Sequence, residues 1–229
     1  MTVVNFNLSQ PPGFRGLHPD LPITVYHRHM PHWRQKGATY FVTFRLADAL
    51  PQAKLQFLKR LRDEWERTHP PPRSEKDWEA YAREVTNSAE RWLDEGYGEC
   101  HFRQKRWCDD LRERLHHFQD QRYLLSCLAI MPNHCHAVIR PFDEYALEDL
   151  LGAIKGVTAR HINAALGTTG ALWEEESYDR IVRDEQHLWR VVQYIGRNPR
   201  LAGLTGEATW RRWIHFEWEA PGYGFRDDN

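Results

Sequence analysis

No stretch of this chain is apolar for long enough to span a bilayer, and its first residues lack the hydrophobic run of a secretion signal. A membrane role is therefore not expected. Cysteine is scarce: Cys100, Cys108, Cys127 and Cys135 are the only four, and no two of them make a CxxC pair. That excludes a zinc ribbon and gives no sign of a disulfide framework. Cys127 and Cys135 sit in apolar, strand-like runs, where a buried free thiol is the ordinary state. The chain reads as a reduced, cytoplasmic protein. An excess of positive charge is also missing, since 31 Lys and Arg face 32 Asp and Glu. Any contact with nucleic acid must then rest on a local basic patch. Internal repeats are absent, and so is any linker long enough to separate two domains.

What is present is enough chain for one or two compact domains, 229 residues, and ten tryptophans. Tryptophans in such number serve as packing anchors, as partly exposed helix faces or as stacking platforms for bases. Residues 1–30 are rich in Pro and His without periodicity and read as an extended leader, laid over the surface or disordered. ATYFVTFRLA (38–47) alternates and is β-branched and aromatic, so it reads as a central strand. Pro51 opens a helix carrying Leu55, Leu58, Leu61 and Trp65 at helical spacing, closed by the prolines at 70–72. A second helix is expected from Glu75 to about Glu95, and a third amphipathic one within 99–120. RYLLSCLAI (122–130) and the run from His134 are strands, and 146–166 is a helix. SYDRIVRD (177–184) is strand-like. Asp184 caps a helix that Pro199 is expected to stop. The order fits an α+β fold of ferredoxin-like, RRM-like type, an antiparallel sheet with helices packed on it. A helical insertion at about 70–97 follows the first helix. The main domain is set at 31–205 and a Trp-rich tail at 206–229.

MPNHCHAVIRP (131–141) carries the chemistry. On a strand, His134 and His136 project to one face while Cys135 and Ala137 point to the other. Two imidazoles on a rigid strand make half of a divalent-metal site; they equally describe two satisfied strand histidines. The late helix offers Tyr194 and Asn198, four residues apart and so on one face. Asn198 can give a carboxamide oxygen to a hard metal, with the Tyr194 phenol beside it. Spacing alone leaves a second description open, in which Tyr194 is a core aromatic and Asn198 a helix cap.

MPNHCHAVI, LWEEESYDRIVRDEQHLWRVVQYIGRNPRLAGL and TYFVTFRLAD together resemble the IS200-like transposases with an HUH motif and a single tyrosine. Within that group they are most similar to the REP-associated tyrosine transposases. The resemblance covers about residues 25–205, with 70–97 outside it. It implies that His134, His136 and Asn198 hold a divalent metal, Mg²⁺ or Mn²⁺. It implies that Tyr194 attacks single-stranded DNA carrying hairpin or palindromic repeats. The product would be a 5′-phosphotyrosine and a free 3′-OH, from which strand transfer follows. It further implies a monomer or homodimer associated with a prokaryotic nucleoid. Cys135 departs from the pattern, which usually has a larger hydrophobe there. Lys155, Arg160, Arg180, Arg183, Arg197 and Arg200 are candidates for phosphate contacts, and Trp173 and Tyr178 for packing or base stacking. Tyr178 is also a rival nucleophile. Glu174–Glu176 are read as a solvated acidic run, and His161 and His187 as surface residues. Two other functions compete: a domesticated, non-catalytic DNA-binding protein of the same fold, and a metal-dependent hydrolase unrelated to DNA.

Overall fold

The structure is a computed structural model that describes residues 6–28 and 30–226; the parts of the leader at 1–5 and 29 and of the tail at 227–229 lie outside the described residues. Two short strands, β1 (Thr24–His27) and β2 (Pro31–Arg34), pair antiparallel as a ribbon, with Val25 opposite Trp33. The expected leader thus contains a strand. Its residues are mostly exposed, and polar contacts hold it: the Tyr26 hydroxyl and Arg34 Nε both bond the Glu148 carboxylate. An element held this way has no apolar alternation to betray it. Upstream, the leader is tied down by Phe14 in the core and by a bond from Leu17 N–H to the Arg183 carbonyl.

The strand expected within 38–47 is β3 (Tyr40–Arg45), buried along its whole length. Helix α1 (Gln52–Thr68) starts after Pro51, and α2 (Glu75–Leu93) starts with a reciprocal capping box between Ser74 and Asp77. Helix α3 (Lys105–His116) buries Trp107, Cys108, Leu111 and Leu115 on one face. Strands β4 (Tyr123–Ile130) and β5 (His134–Pro141) are joined by a tight turn through Pro132 and Asn133. Helix α4 (Leu147–Leu166) ends on Gly167, whose φ of 64° is the left-handed conformation that glycine takes at no steric cost. Strand β6 (Tyr178–Ile181) leads to α5 (Glu185–Leu201), capped by the Asp184 carboxylate on the His187 N–H.

Pro199 does not stop α5, contrary to expectation; the helix continues to Leu201. The missing N–H of a proline so near the end frees one carbonyl only, a cost the last turn tolerates. A short helix α6 (Ala208–Arg211) and a strand β7 (Arg212–Ile214) follow.

The main sheet has the order β6-β3-β5-β4-β7, antiparallel at every pairing. The first four strands have the βαββαβ arrangement of a ferredoxin-like fold, with the HxH strand β5 in the middle. Alternation divides the sheet into two faces. Val42, Phe44, Cys135, Ala137 and Leu128 pack under α3 and α4 in the larger core. Phe41, Val138, Ala129 and Cys127 pack under α5 in the smaller one, with Leu188, Val191, Val192 and Ile195. Truncating a fully buried ring such as Phe44 to Ala costs about 3–5 kcal/mol in a core of this kind.

Because α3 packs on α4, it takes the place of the first helix of that frame. Helices α1 and α2 together form the insertion, joined by contacts of Trp65 with Trp78 and Tyr81. The expected insertion, about 70–97, includes α2 and leaves out α1. The tail is not loose: Trp218 and Tyr223 are fully buried beneath α5, and Trp218 Nε1 donates to the Pro12 carbonyl at 3.0 Å. Among the described residues no helix is long and apolar enough to cross a membrane.

Candidate active site

Residues paired across neighbouring strands share a face, so the register places the site. Thr43 stands opposite His136, and Arg45 opposite His134. Both imidazoles therefore point from the centre of the sheet to the α5 side, and both are buried, at 1% and 0% exposure. Their Nε2 atoms are 3.1 Å apart. His134 Nδ1–H donates to Asn133 Oδ1 at 2.8 Å, which leaves its Nε2 as a lone pair. His136 Nδ1 meets Thr43 Oγ1 at 2.7 Å. With the Nδ1–H as donor there, both Nε2 lone pairs converge. Neighbours on Nδ1 that fix the tautomer are what a ligating histidine requires. Burial lowers the His134 pKa to about 3, and burial, then His134 and Arg180, put His136 well below the usual imidazole range. Both rings are neutral at pH 7.

Helix α5 crosses this face. Asn198 is buried with its Nδ2 at 3.3 Å from His136 Nε2. Its Oδ1 is buried without a partner among the described residues. A half-turn of the carboxamide exchanges the two atoms and aims the oxygen at the imidazoles. Cis donors around an ion with bonds of ~2.1 Å stand roughly 3.0 Å apart, close to the spacing of these three groups. Two imidazole nitrogens and a carboxamide oxygen suit a divalent ion that takes mixed N and O donors. Among the described residues no group of three His, Cys, Asp or Glu side chains offers an alternative centre.

One turn back on α5, the Tyr194 ring lies edge-on to His136, with centroids 5.3 Å apart, and edge-on to Phe41 at 6.0 Å. The phenol is held well above its ordinary pKa, first by burial and then by the carboxylates Glu90 and Asp94; a hydrogen bond to Asn198 and the charge of Arg180 oppose the shift. Tyr194 borders a cleft with Arg180, Arg183, His187 and Arg190. The Arg180 guanidinium lies 4.9 Å from the Phe41 centroid. His187 is lowered to about 4 by burial, then by Arg180 and Arg190, which marks how much positive charge gathers there.

The structure therefore brings His134, His136, Asn198, Tyr194, Arg180 and Arg183 together. Arg197 is exposed on the same side of α5 as Arg190 and Tyr194, seven residues from the first and three from the second, and Arg200 is exposed near the helix end. Lys155 and Arg160 are not at the cleft. They lie on α4, across the sheet, where Lys155 Nζ donates to the Glu175 carbonyl. Trp173 is a packing residue: it is 6% exposed, tilted against Phe44, and its Nε1 donates to Thr158 Oγ1 at 3.0 Å. Both its ring faces are committed to the core. Tyr178 pairs with Thr43, two strands from His136, or about 10 Å at ordinary strand spacing. It has no metal-ligand partner there, and no contact supports it as the nucleophile.

Sequence reasoning passed over four participants. Arg190 was open to it, since it stands one helical turn before Tyr194, the same spacing that linked Tyr194 to Asn198. His187, set aside as a surface residue, is one of the cleft's walls. Glu90 and Asp94 had no local signal, because α2 meets the site only through tertiary packing.

The family model described as "Transposase IS200 like" matches residues 99–198, under half of the chain. The match runs from just before α3 to Asn198 and so includes both histidines and Tyr194. No curated protein matches. A solved structure, "Structure of the REP associates tyrosine transposase bound to a REP hairpin", aligns with 15% identity and a TM-score of 0.39, over 80% of this chain and 77% of that one. The family match falls on the segment that builds the site.

Proposed function

We propose that the protein is a metal-dependent enzyme that nicks and rejoins single-stranded DNA through Tyr194, acting on strands with hairpin or palindromic repeats. The observation that carries this reading is the position of Tyr194, against His136 and one helical turn from Asn198, at the rim of an arginine-lined cleft. His134, His136 and Asn198 would hold Mg²⁺ or Mn²⁺. When bound, such an ion draws charge from a non-bridging phosphate oxygen and lowers the barrier to attack.

The chain's own groups do the rest. Arg180, Arg183 and Arg190 receive the phosphates and orient the strand. Phe41 and His136 hold the Tyr194 ring in one position, so the hydroxyl meets phosphorus without a search. Attack forms the Tyr194 Oη–P bond and breaks the P–O3′ bond. The phenolic proton ends on the departing 3′-oxygen. The 5′-phosphotyrosine keeps the phosphodiester's energy, so a later 3′-OH can reverse the step and join a new strand. In the free protein, burial and the nearby carboxylates keep the phenol protonated and unreactive.

The test is a labelled single strand with a hairpin flank, incubated with the full-length protein and Mn²⁺ or Mg²⁺. A covalent adduct at Tyr194, located by mass spectrometry, is expected, and Tyr194→Phe should form none while still binding the strand. An adduct of equal yield in Tyr194→Phe would remove the assignment. A gel shift with no adduct in the unsubstituted protein would favour the domesticated, non-catalytic reading.

A further inference from the structure

The insertion does more than decorate the fold. Helix α2 stands over the edge of the sheet beside the start of α5, and a cavity of about 370 Å³ remains between α2, the segment that carries β2, and the sheet. That volume falls within the ~300–1,000 Å³ of ordinary small-ligand sites. Its walls include the rings of Phe41 and Tyr178, the hydroxyls of Thr43 and Thr86, and the charged side chains of Glu90 and Arg180. Arg180, Arg183 and His187 border both this cavity and the Tyr194 cleft. The two spaces are neighbours, and Arg180 and Arg183 give their shared wall its positive charge.

A strand held by Arg180 and Arg183 at the Tyr194 cleft passes along that wall. Unstacked bases are held by aromatic and apolar walls and read by polar groups on their edges. Glu90 is the group in place to read. One of its carboxylate oxygens is buried without a hydrogen-bond partner among the described residues, so the unliganded site leaves an acceptor unused. A carboxylate only accepts. Guanine alone presents two adjacent N–H donors, N1–H and N2–H, to one carboxylate. Adenine and cytosine set an acceptor beside their amino group, and thymine flanks its single N–H with two carbonyls.

We infer that the cavity between α2 and the sheet is a nucleobase pocket, which takes one extruded base, guanine in preference, beside the phosphodiester that Tyr194 cuts, with Glu90 as its reader. This rests on the reading of Tyr194 as nucleophile for its purpose, but not for its occupancy. The insertion would thus supply base selectivity that the ferredoxin-like frame lacks.

The test uses the full-length protein and four free probes, dGMP, dAMP, dCMP and dTMP, titrated by saturation-transfer NMR. The expected result is dGMP binding about tenfold tighter than dTMP, the discrimination of one good bidentate contact. Glu90→Gln should bring the four within about twofold of one another, since an amide no longer offers two acceptors. Thr86→Phe, which fills the cavity, should weaken all four by about tenfold or more. Equal binding of the four probes to the unsubstituted protein would overturn the inference, as would a dGMP preference that survives Glu90→Gln. Because mononucleotides undergo no cleavage, this outcome is independent of the Tyr194 adduct. An adduct without nucleotide preference removes only the pocket; preference without an adduct removes only the nuclease.

Discussion

Two buried polar clusters stand on this molecule, one on each side of strand β3, and they are built on opposite terms. In the first, His32 lies between two carboxylates, with Nδ1 at 2.7 Å from Asp179 and Nε2 at 2.9 Å from Glu176. Arg34 grips Asp179 with both terminal nitrogens and reaches Glu148 with Nε. Burial works against the charge on His32, but the bonds to Asp179 and Glu176 outweigh it and raise its pKa to about 9. Burial likewise pushes Asp179 up, and the bonds from His32 and Arg34 overcome it. Every charge there has an opposite neighbour. In the second cluster, among the described residues, His134, His136, Asn198 and Tyr194 have no carboxylate bonded to them, and Asn198 Oδ1 is left without a partner. The first cluster clamps the β1–β2 ribbon to β6 and is complete. The second is a set of neutral groups, among them the ones proposed to hold a divalent ion. An unmet acceptor in a native interior calls for an explanation, and the proposed ion would supply it.

This contrast can be broken in stages. Replacing His136 with Leu should reduce adduct formation about 10²-fold or more, since the electrostatic stabilisation at the phosphate is lost. Its effect on folding should be the smaller one, about 1–3 kcal/mol, because the buried Thr43 hydroxyl loses its partner but no charge is stranded. Adduct yield and a urea midpoint measured on one preparation decide it. Asp179→Ala should behave the other way, costing about 3–5 kcal/mol of stability by removing the buried carboxylate that His32 and half-buried Arg34 share and leaving each with a single carboxylate partner. A loss under 1 kcal/mol by urea denaturation would show that the first cluster is not a clamp. Arg190→Ala, at the rim of the cleft, should weaken strand binding several-fold and lower the salt slope by about one. Fluorescence anisotropy at several salt concentrations reads this directly.

The smallest effects are those of pH. A histidine raised to about 9 contributes stability that is full below its unfolded value of 6.5 and is lost as pH climbs towards 9. His187, lowered to about 4, has the opposite sign: its contribution is full above 6.5 and is lost as pH falls towards 4. Stability should therefore sag on both sides of neutrality. His32→Gln should flatten the alkaline limb alone, and denaturation midpoints at pH 7 and 9.5 would show it.

The clamp and the site were not equally visible from the chain alone. The HxH pair was legible because a spacing of two has one meaning on a strand. Tyr194 and Asn198 were legible because a spacing of four has one meaning on a helix. The clamp joins residues some 145 apart through polar contacts, and no short-range pattern marks them. Helices α1 and α2 were visible as helices, yet which face of the sheet they would cover was not. An amphipathic stripe tells that a helix is covered, never by what. The leader and tail were opaque for a related reason: Phe14, Trp218 and Tyr223 pack irregularly, with no period, and only the folded core shows them to be part of it.

The last helix and the two ends of the chain have one more implication. Gly196 on α5 is so close to Phe225 that a Cβ there would stand 2.5 Å from the ring, and Trp218 is in turn bonded to Pro12. The helix that carries Tyr194 is wrapped on its outer side by its own termini, with His134 and His136 on its inner side in the same copy. One polypeptide then contains every group of the proposed reaction centre. Turnover should scale linearly with enzyme from nanomolar amounts upward, with no lag for assembly. Mixing a Tyr194→Phe copy with a His136→Leu copy should restore nothing.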